Sequence, residues 1–388
     1  MTYTKELFTS ESVTEGHPDK ICDQISDAVL DECLRQDINS RAAVETATKN
    51  GTIWVLGEIT TEGFVDFDDV TRGVLKKIGY TTTDFGIDYE NCGVLCSIVP
   101  QTQDISIGVD ADRGEHKEQG AGDQGMMFGY ACNETPVLMP MPIVYAHRLT
   151  QRLAHVRKEK ILPKLGPDGK AQVTVEYKQG KPYRIHTIVV STQHRDDESY
   201  TEKKLRPDIK KYVIEPVANK WMDEETIIHI NPTGKFIKGG PQADAGLTGR
   251  KIIVDTYGGM GRHGGGAFSG KDPTKVDRSA AYAARYIAKN MVAAGLADRF
   301  EVQISYAIGI AEPLSLWVNT FNTSDLPNTK IIKIIRENFP LTPAEIISHL
   351  KLKRPIYQKT ATYGHFGREE SEFTWENTEI AEDLKKYL

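Results

Sequence analysis

Hydrophobic and polar positions along the chain follow two periods that alternate in a fixed order. Apolar residues first recur at helical spacing. They then alternate at the two-residue spacing of strands on either side of Asn50-Gly51, a dipeptide typical of hairpin turns. Gly79 is placed to end a second helical segment. The first unit is therefore predicted as a helix at about 17–36, strands at 42–49 and 52–60, a helix at 67–78 and a strand at 93–99.

The same order of elements occurs twice more. The second unit is predicted as a helix at 142–158, strands at 172–177 and 184–193, a helix at 202–219 and a strand at 226–231. The third is predicted as a helix at 278–294, strands at 301–308 and 315–321, a helix at 330–338 and a closing strand at 355–362. Three α-ββ-α-β units predict an α+β fold with a pseudo-threefold internal repeat, in which helices cover one face of each sheet.

The repeat suggests where the chain divides. It predicts an N-terminal domain at 1–103, a flexible active-site loop at 104–119, a central domain at 120–232 and a C-terminal domain at 233–388. The loop is part of the polar, glycine-containing stretch 101–119, whose length is typical of a lid. Strands that are apolar on both faces, such as 53–56 and 185–190, favour burial of the uncovered sheet faces between subunits.

A glycine-rich stretch at 258–277 interrupts the third unit, and seven of its twenty residues are glycine. It lies between an apolar run at 251–257, predicted as a strand, and the helix that follows it. Backbone N–H groups and a helix N-terminus can surround an anion in such a loop. It is not a P-loop, because Asp272 follows Lys271 where Ser or Thr is required. The interleaved lysines and acids favour a polyphosphate site with a metal over a plain surface turn.

Composition narrows the function classes. The chain has 388 residues, 39% hydrophobic and 26% charged, with a formal net charge of −6, which argues against a nucleic-acid-binding protein. No run approaches the roughly 18 apolar residues of a membrane helix, and the first residues do not form a signal peptide. The five cysteines lack metal-site spacing, and Cys92 and Cys96 are expected to be small buried hydrophobes. Reduced thiols predict a cytoplasmic protein.

A second group of charged residues lies at the start of the first helix. His17, Asp19 and Lys20 crowd this position, where helix capping by charged residues is an equally good interpretation. Asp19 and Asp277 could share Mg²⁺, which prefers a few carboxylates together with phosphate oxygens. The predicted strands also carry Glu45 and Glu58. The simplest interpretation of these two glutamates is that they are exposed residues on the surface of a strand.

The motifs are similar to those of the S-adenosylmethionine synthetase (methionine adenosyltransferase) family. The similarity covers nearly the whole chain, and Gly261-Arg262-His263 resembles the bacterial members most. The matching segments are 8–13, 15–20 (EGHPDK), 120–125 (GAGDQG), 264–272 (GGGAFSGKD) and 364–368. The resemblance implies a fold of three similar α+β domains. It also implies a reaction in which the sulfur of methionine displaces triphosphate from ATP. The triphosphate is then hydrolysed to phosphate and diphosphate.

The resemblance further implies two Mg²⁺ and one K⁺ per site, a homodimer with shared active sites and assembly into a homotetramer. It implies catalytic roles for His17, Lys170, Arg250 and Lys271, and ATP binding by His17, Asp168, Gly169, Lys170, Lys235, Phe236, Asp244, Arg250, Lys251, Ala267 and Lys271. Methionine binding is implied for Glu58, Gln101, Asp123, Asp244 and Lys275, Mg²⁺ binding for Asp19 and Asp277, and K⁺ binding for Glu45.

Two other classes of protein remain as alternatives to an adenosyltransferase. One is a nucleotide-binding regulatory protein that uses the glycine-rich stretch without catalysis. The other is an ATP hydrolase in which Asp19 and Asp277 hold a metal and water is the nucleophile. Dependence of turnover on methionine separates these three functions.

Overall fold

A computed structural model of the chain describes residues 5–101 and 119–388. Its strands are β1 (Lys5–Val13), β2 (Arg41–Lys49), β3 (Thr52–Thr60), β4 (Gly93–Val99), β5 (Gly125–Cys132), β6 (Leu165–Lys178), β7 (Lys181–His194), β8 (Ile227–Ile230), β9 (Gly246–Leu247), β10 (Arg299–Tyr306) and β11 (Ser315–Asn319). The α-helices are α1 (Pro18–Gln36), α2 (Phe67–Ile78), α3 (Met141–Lys158), α4 (Glu202–Ile209), α5 (Glu215–Ala218), α6 (Gly240–Ala243), α7 (Ile252–Asp255), α8 (Val276–Ala293), α9 (Asn328–Asn338), α10 (Pro343–His349) and α11 (Ala381–Leu384). Nearly all of the loop predicted at 104–119 lies outside the described residues.

Local sequence explains where the first elements begin and end. α1 has His17 as its N-cap and Pro18 in its first turn. The Asp66 side chain caps α2 by accepting the Asp69 N–H, and Gly79 ends that helix with a φ of 109°. β2 and β3 are joined by the turn at Asn50, whose φ is 54°.

The three predicted hairpins lie in three separate sheets, at the centre of the first two and at one edge of the third. The strand orders are β4-β3-β2-β9, β1-β6-β7-β8 and β11-β10-β5. In the first two sheets the hairpin is antiparallel and a closing strand, β4 or β8, returns parallel after a helical connection. This arrangement confirms the predicted α+β repeat in the first two units.

The closing strand predicted for the third unit at 355–362 is wrong. That segment contains a short 3₁₀ helix, Gln358–Ala361, beside α1. The Asp31 carboxylate on α1 accepts the N–H groups of Tyr357 and Gln358, at 2.8 and 2.9 Å. These N–H groups are therefore already paired and cannot join a sheet.

Each sheet also contains an antiparallel strand that the sequence analysis did not predict. β9 pairs with β2, β1 pairs with β6 and β5 pairs with β10. Each added strand precedes the opening helix of another unit: β1 precedes α1, β5 precedes α3 and β9 precedes α8. α1 packs on β2 and β9, α3 on β6 and β1, and α8 on β10 and β5. The three units therefore exchange strands in a cycle.

Two further predictions need correction. The apolar run at 251–257 is the short helix α7 and not a strand, since the Asp255 N–H donates to the Lys251 carbonyl at 2.8 Å. The helix predicted at 202–219 is interrupted between α4 and α5 by a π-helical turn, Lys210–Ile214. The correction at 251–257 matters for function, because α7 begins directly after Arg250 and Lys251, which are predicted ATP ligands.

The apolar core has two parts. One is continuous between the first and third units, and the other fills the second unit. All five cysteines lie in the described residues and carry free thiols, but Cys96 is exposed, contrary to expectation. Among the described helices, none is both long enough and apolar enough to cross a membrane.

Candidate active site

One group of predicted site residues surrounds the N-terminus of α1. His17 Nδ1 accepts the Asp19 N–H at 3.2 Å. Asp19 Oδ1 accepts the Leu247 N–H of β9 at 3.0 Å, and Asp19 Oδ2 accepts a hydrogen bond from Lys251 Nζ at 2.5 Å. Arg250 Nε lies 3.8 Å from Asp19 Oδ1. The pairing of β9 with β2 therefore brings Arg250 and Lys251 to the start of α1.

The beginning of β6 adds further predicted residues to this group. Lys170 pairs with Val13 across β1 and β6, and the Gly169 carbonyl accepts the Thr14 N–H at 2.9 Å. Asp168 Oδ2 accepts the Gly240 N–H at 2.8 Å, and burial raises the pKa of Asp168 to about 6. The "helix-start cluster" is defined here as His17, Asp19, Asp168, Gly169, Lys170, Asp244, Arg250 and Lys251.

The electrostatics of this cluster favour a neutral His17 ring. Burial, together with the charges of Lys251 and Lys170, lowers the pKa of His17 to about 2, against a smaller opposing effect of Asp244. Nδ1 accepts a backbone N–H, so the single proton of the neutral ring lies on Nε2. The side chain is therefore prepared to donate a hydrogen bond without carrying a charge.

Three other predicted ATP ligands lie near the edge of this cluster. Phe236 exchanges hydrogen bonds with His194, at 2.9 and 3.2 Å, and packs against Gly239, where a Cβ atom would lie 2.8 Å from the ring. Lys235 Nζ lies 3.3 Å from Asp196. A Cβ atom at Gly249 would lie 2.6 Å from Ala267 Cβ, which places Ala267 beside Arg250.

A second group lies at the start of α8. Lys271 Nζ donates to Asp277 Oδ2 at 2.5 Å, and Lys275 Nζ donates to Asp272 Oδ2 at 2.6 Å. Gly270 has a φ of 79° and a Cβ atom there would lie 1.8 Å from the Val44 carbonyl oxygen, so only glycine fits this close approach to β2. The glycine-rich stretch is thus anchored to the first sheet.

Residues expected to bind methionine and K⁺ lie on the same sheet. Strand register places Val99, Glu58, Ala43 and Lys271 in one row, on the face directed away from α1 and called here the outer face. Glu45 lies two residues beyond Ala43 on that face and is exposed. The row thus brings Glu58 of β3 close to Lys271, which lies in the segment that leads into α8.

Gln101 and Asp123 also approach this second group. The Gln101 N–H donates to Thr60 Oγ1 at 3.2 Å, just beyond the row that contains Glu58. Asp123 precedes Gly125, and a Cβ atom at Gly125 would lie 3.6 Å from Asp277 Oδ1. The "glycine-loop cluster" is defined here as Glu58, Gln101, Asp123, Lys271, Asp272, Lys275 and Asp277.

The two clusters lie at opposite ends of β2, and the outer face is partly apolar at the β9 end. Ala43, beside Lys271, and Ala47, beside β9, are four residues apart, a separation of about 13 Å along an extended strand. A cavity of about 340 Å³ lies over the β9 end and is lined in part by Ala47, Trp54 and Leu247. Trp54 is 50% exposed. An exposed apolar patch beside a charged cluster is typical of an interaction surface.

The donor sets of the two clusters are suited to metal ions only in part. Within residues 5–101 and 119–388, no three His, Cys, Asp or Glu side chains are grouped to hold a metal. Asp19 and Asp277, the predicted Mg²⁺ ligands, lie in different clusters, and each now pairs with a lysine ammonium. Their oxygens fit Mg²⁺, which takes few protein carboxylates when phosphate oxygens supply the remaining ligands.

Lys20 does not face the helix-start cluster, although the sequence groups it with His17 and Asp19. It is 1% exposed, and Nζ donates to Asp23 at 2.8 Å and to Asp255 at 2.5 Å. The sequence analysis missed Asp23 and Asp255 altogether. One signal was available, because Asp19, Asp23, Asp27 and Asp31 recur at intervals of four along a predicted helix and must share one face.

Comparisons with known proteins identify the family that this chain resembles. The family models for S-adenosylmethionine synthetase match in sequence order, the N-terminal domain at 5–103, the central domain at 118–236 and the C-terminal domain at 238–377. The chain is also similar to an S-adenosylmethionine synthase of Roseiflexus castenholzii (strain DSM 13941 / HLO8). The two are 56% identical over 392 residues, covering 98% of this chain and 96% of that protein.

Proposed function

Because the chain belongs to the S-adenosylmethionine synthetase family, we propose that its two charged clusters are the two halves of a methionine adenosyltransferase site. The reaction converts ATP, L-methionine and water to S-adenosylmethionine, phosphate and diphosphate. The observation that carries this assignment is the sorting of predicted ligands. Nearly all the predicted ATP ligands lie in or beside the helix-start cluster, and four of the five predicted methionine ligands lie in the glycine-loop cluster.

The transfer step requires no general base. The methionine sulfur donates a lone pair to C5′ of ATP, the C5′–O bond breaks, and its electron pair leaves with the triphosphate. A thioether has no proton to lose, so the chain needs to position the sulfur in line and to stabilise the leaving group. The product is a sulfonium cation, which the carboxylates of Glu58 and Asp123 favour electrostatically.

His17 is proposed to contact the oxygen that leaves C5′. Its Nε2–H donates to this oxygen as negative charge develops there, while the ring remains neutral. The N-terminus of α1 adds the positive end of a 19-residue helix dipole. A neutral donor with fixed orientation stabilises the developing charge without a change of its own protonation state.

Lys170, Arg250, Lys251 and Lys271 are proposed to bind the triphosphate. Lys251 already lies 2.5 Å from the Asp19 carboxylate, so its ammonium group is held at the start of α1 before ATP arrives. Asp168, Asp244, Gly169, Lys235, Phe236 and Ala267 are proposed to hold the rest of ATP. Hydrolysis of the triphosphate to phosphate and diphosphate follows in the same cationic site.

Metal ions complete the proposed site, in keeping with a family that requires them. Asp19 and Asp277 would hold two Mg²⁺, and Glu45 would hold K⁺. These cations supply charge that neutralises the triphosphate and orients its oxygens. The fit of the carboxylate oxygens to Mg²⁺ supports this assignment. Glu58, Gln101, Asp123, Asp244 and Lys275 are proposed to bind methionine.

The active unit is proposed to be a homodimer with shared sites, which assembles further into a homotetramer. A two-fold axis through the apolar outer face would bring the helix-start cluster of one subunit to the glycine-loop cluster of its partner. Such pairing would also bury Trp54, Leu95 and Leu247, whose exposed fractions are 50%, 55% and 43%. The proposal also keeps the domain boundaries at 103, 119 and 232. It keeps a cytoplasmic location as well, which suits the free thiols.

Incubation of the protein with ATP, Mg²⁺, K⁺ and labelled methionine tests the proposal. The expected result is a labelled sulfonium product that forms only when ATP and methionine are both present, together with phosphate and diphosphate. Phosphate release that does not depend on methionine would identify an ATP hydrolase. Binding of ATP without turnover would identify a nucleotide-binding protein.

A further inference from the structure

One face of α1 carries a line of buried carboxylates. The exposed fractions of Asp19, Asp23, Asp27 and Asp31 are 2%, 0%, 0% and 7%. Each accepts at least one backbone N–H from the C-terminal part of the chain, and the donors are Leu247 for Asp19, Gly249 for Asp23, Gly270 for Asp27, and Tyr357 and Gln358 for Asp31. The helix therefore holds a long stretch of the other unit by its main chain.

After Asp19, which is a proposed Mg²⁺ ligand, Asp23 is the member of this line whose contacts lie nearest to Arg250 and Lys251. Its Oδ1 accepts the Gly249 N–H at 2.8 Å, and its Oδ2 accepts from Lys20 Nζ at 2.8 Å. Lys20 Nζ also donates to Asp255 Oδ1 at 2.5 Å. Gly249 comes directly before Arg250, and Asp255 is the last residue of α7, which begins directly after Lys251. The contacts of Asp23 and Lys20 thus bracket Arg250 and Lys251 on both sides.

Helix stability does not explain this line of acids. Carboxylates four residues apart repel each other on a helix, and a buried carboxylate is costly unless it is paired and hydrogen-bonded. Asp23 has both kinds of partner, and all of them belong to α1 or to the segment 249–255. What Asp23 provides is a fixed position for that segment against the helix that carries His17.

We propose that Asp23 is a positioning residue for Arg250 and Lys251. Through Gly249 and Lys20 it holds both cations at the triphosphate position without touching substrate. This inference rests on the proposed function. A misplacement of catalytic groups by about 1 Å costs on the order of 10²-fold in rate, so loss of the Gly249 contact is expected to have a measurable effect.

Asp31 supplies a matched control on the same helix. It too is a buried carboxylate that accepts backbone N–H groups from the C-terminal part of the chain, at 2.8 and 2.9 Å. Its donors, Tyr357 and Gln358, are not near any predicted site residue in sequence. Removal of Asp31 should therefore destabilise the fold without moving Arg250 or Lys251.

The test compares Asp23→Ala with Asp31→Ala, using inorganic triphosphate with Mg²⁺ as the probe in calorimetric binding. Both variants are expected to unfold at a lower temperature than the wild type. Only Asp23→Ala is expected to bind triphosphate more weakly, by about tenfold or more, with a matching rise in the KM for ATP and little change in the KM for methionine. Asp23→Asn keeps an oxygen for the Gly249 N–H but loses the acceptor for Lys20, so it should recover part of the affinity.

Three results would overturn the inference: wild-type affinity in Asp23→Ala, an equal loss of affinity in Asp31→Ala, or no recovery in Asp23→Asn. If Asp23→Ala does not fold, Asp23→Ser takes its place, since its hydroxyl is too short to reach the Gly249 N–H. The wild type is measured first. A wild type that binds no triphosphate contradicts the proposed function, whereas equal binding by wild type and variant contradicts only the role of Asp23.

Discussion

The ring of His17 shows how a single residue is adapted by its surroundings. It caps α1, it is almost fully buried, and the ammonium groups of Lys251 and Lys170 oppose a positive charge on it. These effects lower its pKa to about 2, so the ring is neutral near neutral pH. The proposed role of His17 is therefore that of an oriented N–H donor, and its contribution should not depend on pH between about 6 and 8.

Replacement of His17 by Asn tests this role. Because Asn can still cap the helix but places its N–H differently, ATP binding should be retained. Sulfonium formation at saturating ATP and methionine should slow by roughly 10²–10⁴, the range for a lost donor at a developing charge. Single-turnover kinetics at pH 6, 7 and 8 provide the measurement. Near wild-type turnover in the variant would remove His17 from the mechanism.

The close approach of Gly270 to β2 is a second feature of residue scale. Gly270 and Gly295 share a φ of 79°, but a Cβ atom at Gly270 would meet the Val44 carbonyl oxygen at 1.8 Å, whereas none of the described atoms lies within 4 Å at Gly295. Alanine at either position carries the backbone strain of about 1–2 kcal/mol. Gly270→Ala should lose more stability than Gly295→Ala and should also lose activity, because Lys271 moves. Urea unfolding of both variants measures the difference, and equal losses would contradict the contact.

At the scale of elements, α1 connects the first unit to the third. Its N-terminus presents His17 and Asp19, and its acidic face holds the segments that carry the cationic side chains. Asp31, further along this face, is near Asp27 on the same helix and Arg278 on α8. Burial is the largest effect on Asp31 and raises its pKa to about 7, although the two N–H groups act in the opposite direction.

This raised pKa predicts a pH-dependent stability. The folded protein holds the Asp31 proton more tightly than the unfolded chain, whose Asp pKa is about 3.9. The stabilisation is therefore complete below about pH 4 and is lost as pH rises through about 7. The free energy of unfolding of wild type relative to Asp31→Asn should decline from pH 5 to pH 8, as measured by urea denaturation. If the stability of wild type relative to Asp31→Asn instead increased with pH, the folded protein would favour the ionised Asp31 carboxylate.

On the scale of the whole molecule, the two charged clusters of one chain lie apart, and they are proposed to be the two halves of a site. The clusters are about 13 Å apart along β2, and the outer face at the β9 end exposes Trp54 and Leu247. The helix-start cluster draws on all three units, since β1 pairs with β6 beside Lys170 and β9 carries Arg250 and Lys251 to the first sheet. A second copy of the chain is the proposed means of joining the halves.

Subunit mixing tests the shared site directly. Asp19→Asn damages the helix-start cluster and Lys271→Ala damages the glycine-loop cluster, so each variant alone should be inactive. If the halves come from different subunits, each heterodimer has one doubly damaged and one intact site. Random exchange of equal amounts should then recover about one quarter of wild-type activity. No recovery, with heterodimers verified by mass spectrometry, would assign both residues to one subunit's site.

A single introduced charge tests whether the outer face is a subunit interface. Trp54→Glu places a carboxylate at a position that is half exposed in one chain, so the monomer should still fold. Burial of that charge in a dimer would be costly, and the variant is expected to sediment as a monomer without adenosyltransferase activity. Ser97→Glu, at an exposed position on the neighbouring strand β4, extends the test across the face. A fully active monomer at nanomolar concentration would contradict the shared site.

Much of this protein could be predicted from local patterns. The bounds of α2 and β4 were predicted as observed, and the three hairpins were found, because helical periodicity, Gly79 and Asn50-Gly51 act over a few residues. The family motifs likewise lie in short continuous segments. The resemblance that rests on these motifs gave most residues of both clusters as predictions before any geometry was known.

Only the tertiary structure decided how these segments meet. β9 is two residues long and has no periodicity of its own; it is a strand because Ala47 and Thr48 pair with it. The apolar run at 251–257 was expected to be a strand but contains the helix α7. The strand expected at 355–362 is absent because Asp31 accepts hydrogen bonds from backbone N–H groups of that segment. Hydrogen bonds between residues hundreds of positions apart leave no local pattern. They determined which charges lie together, and therefore that the charged residues of one chain form two separate clusters.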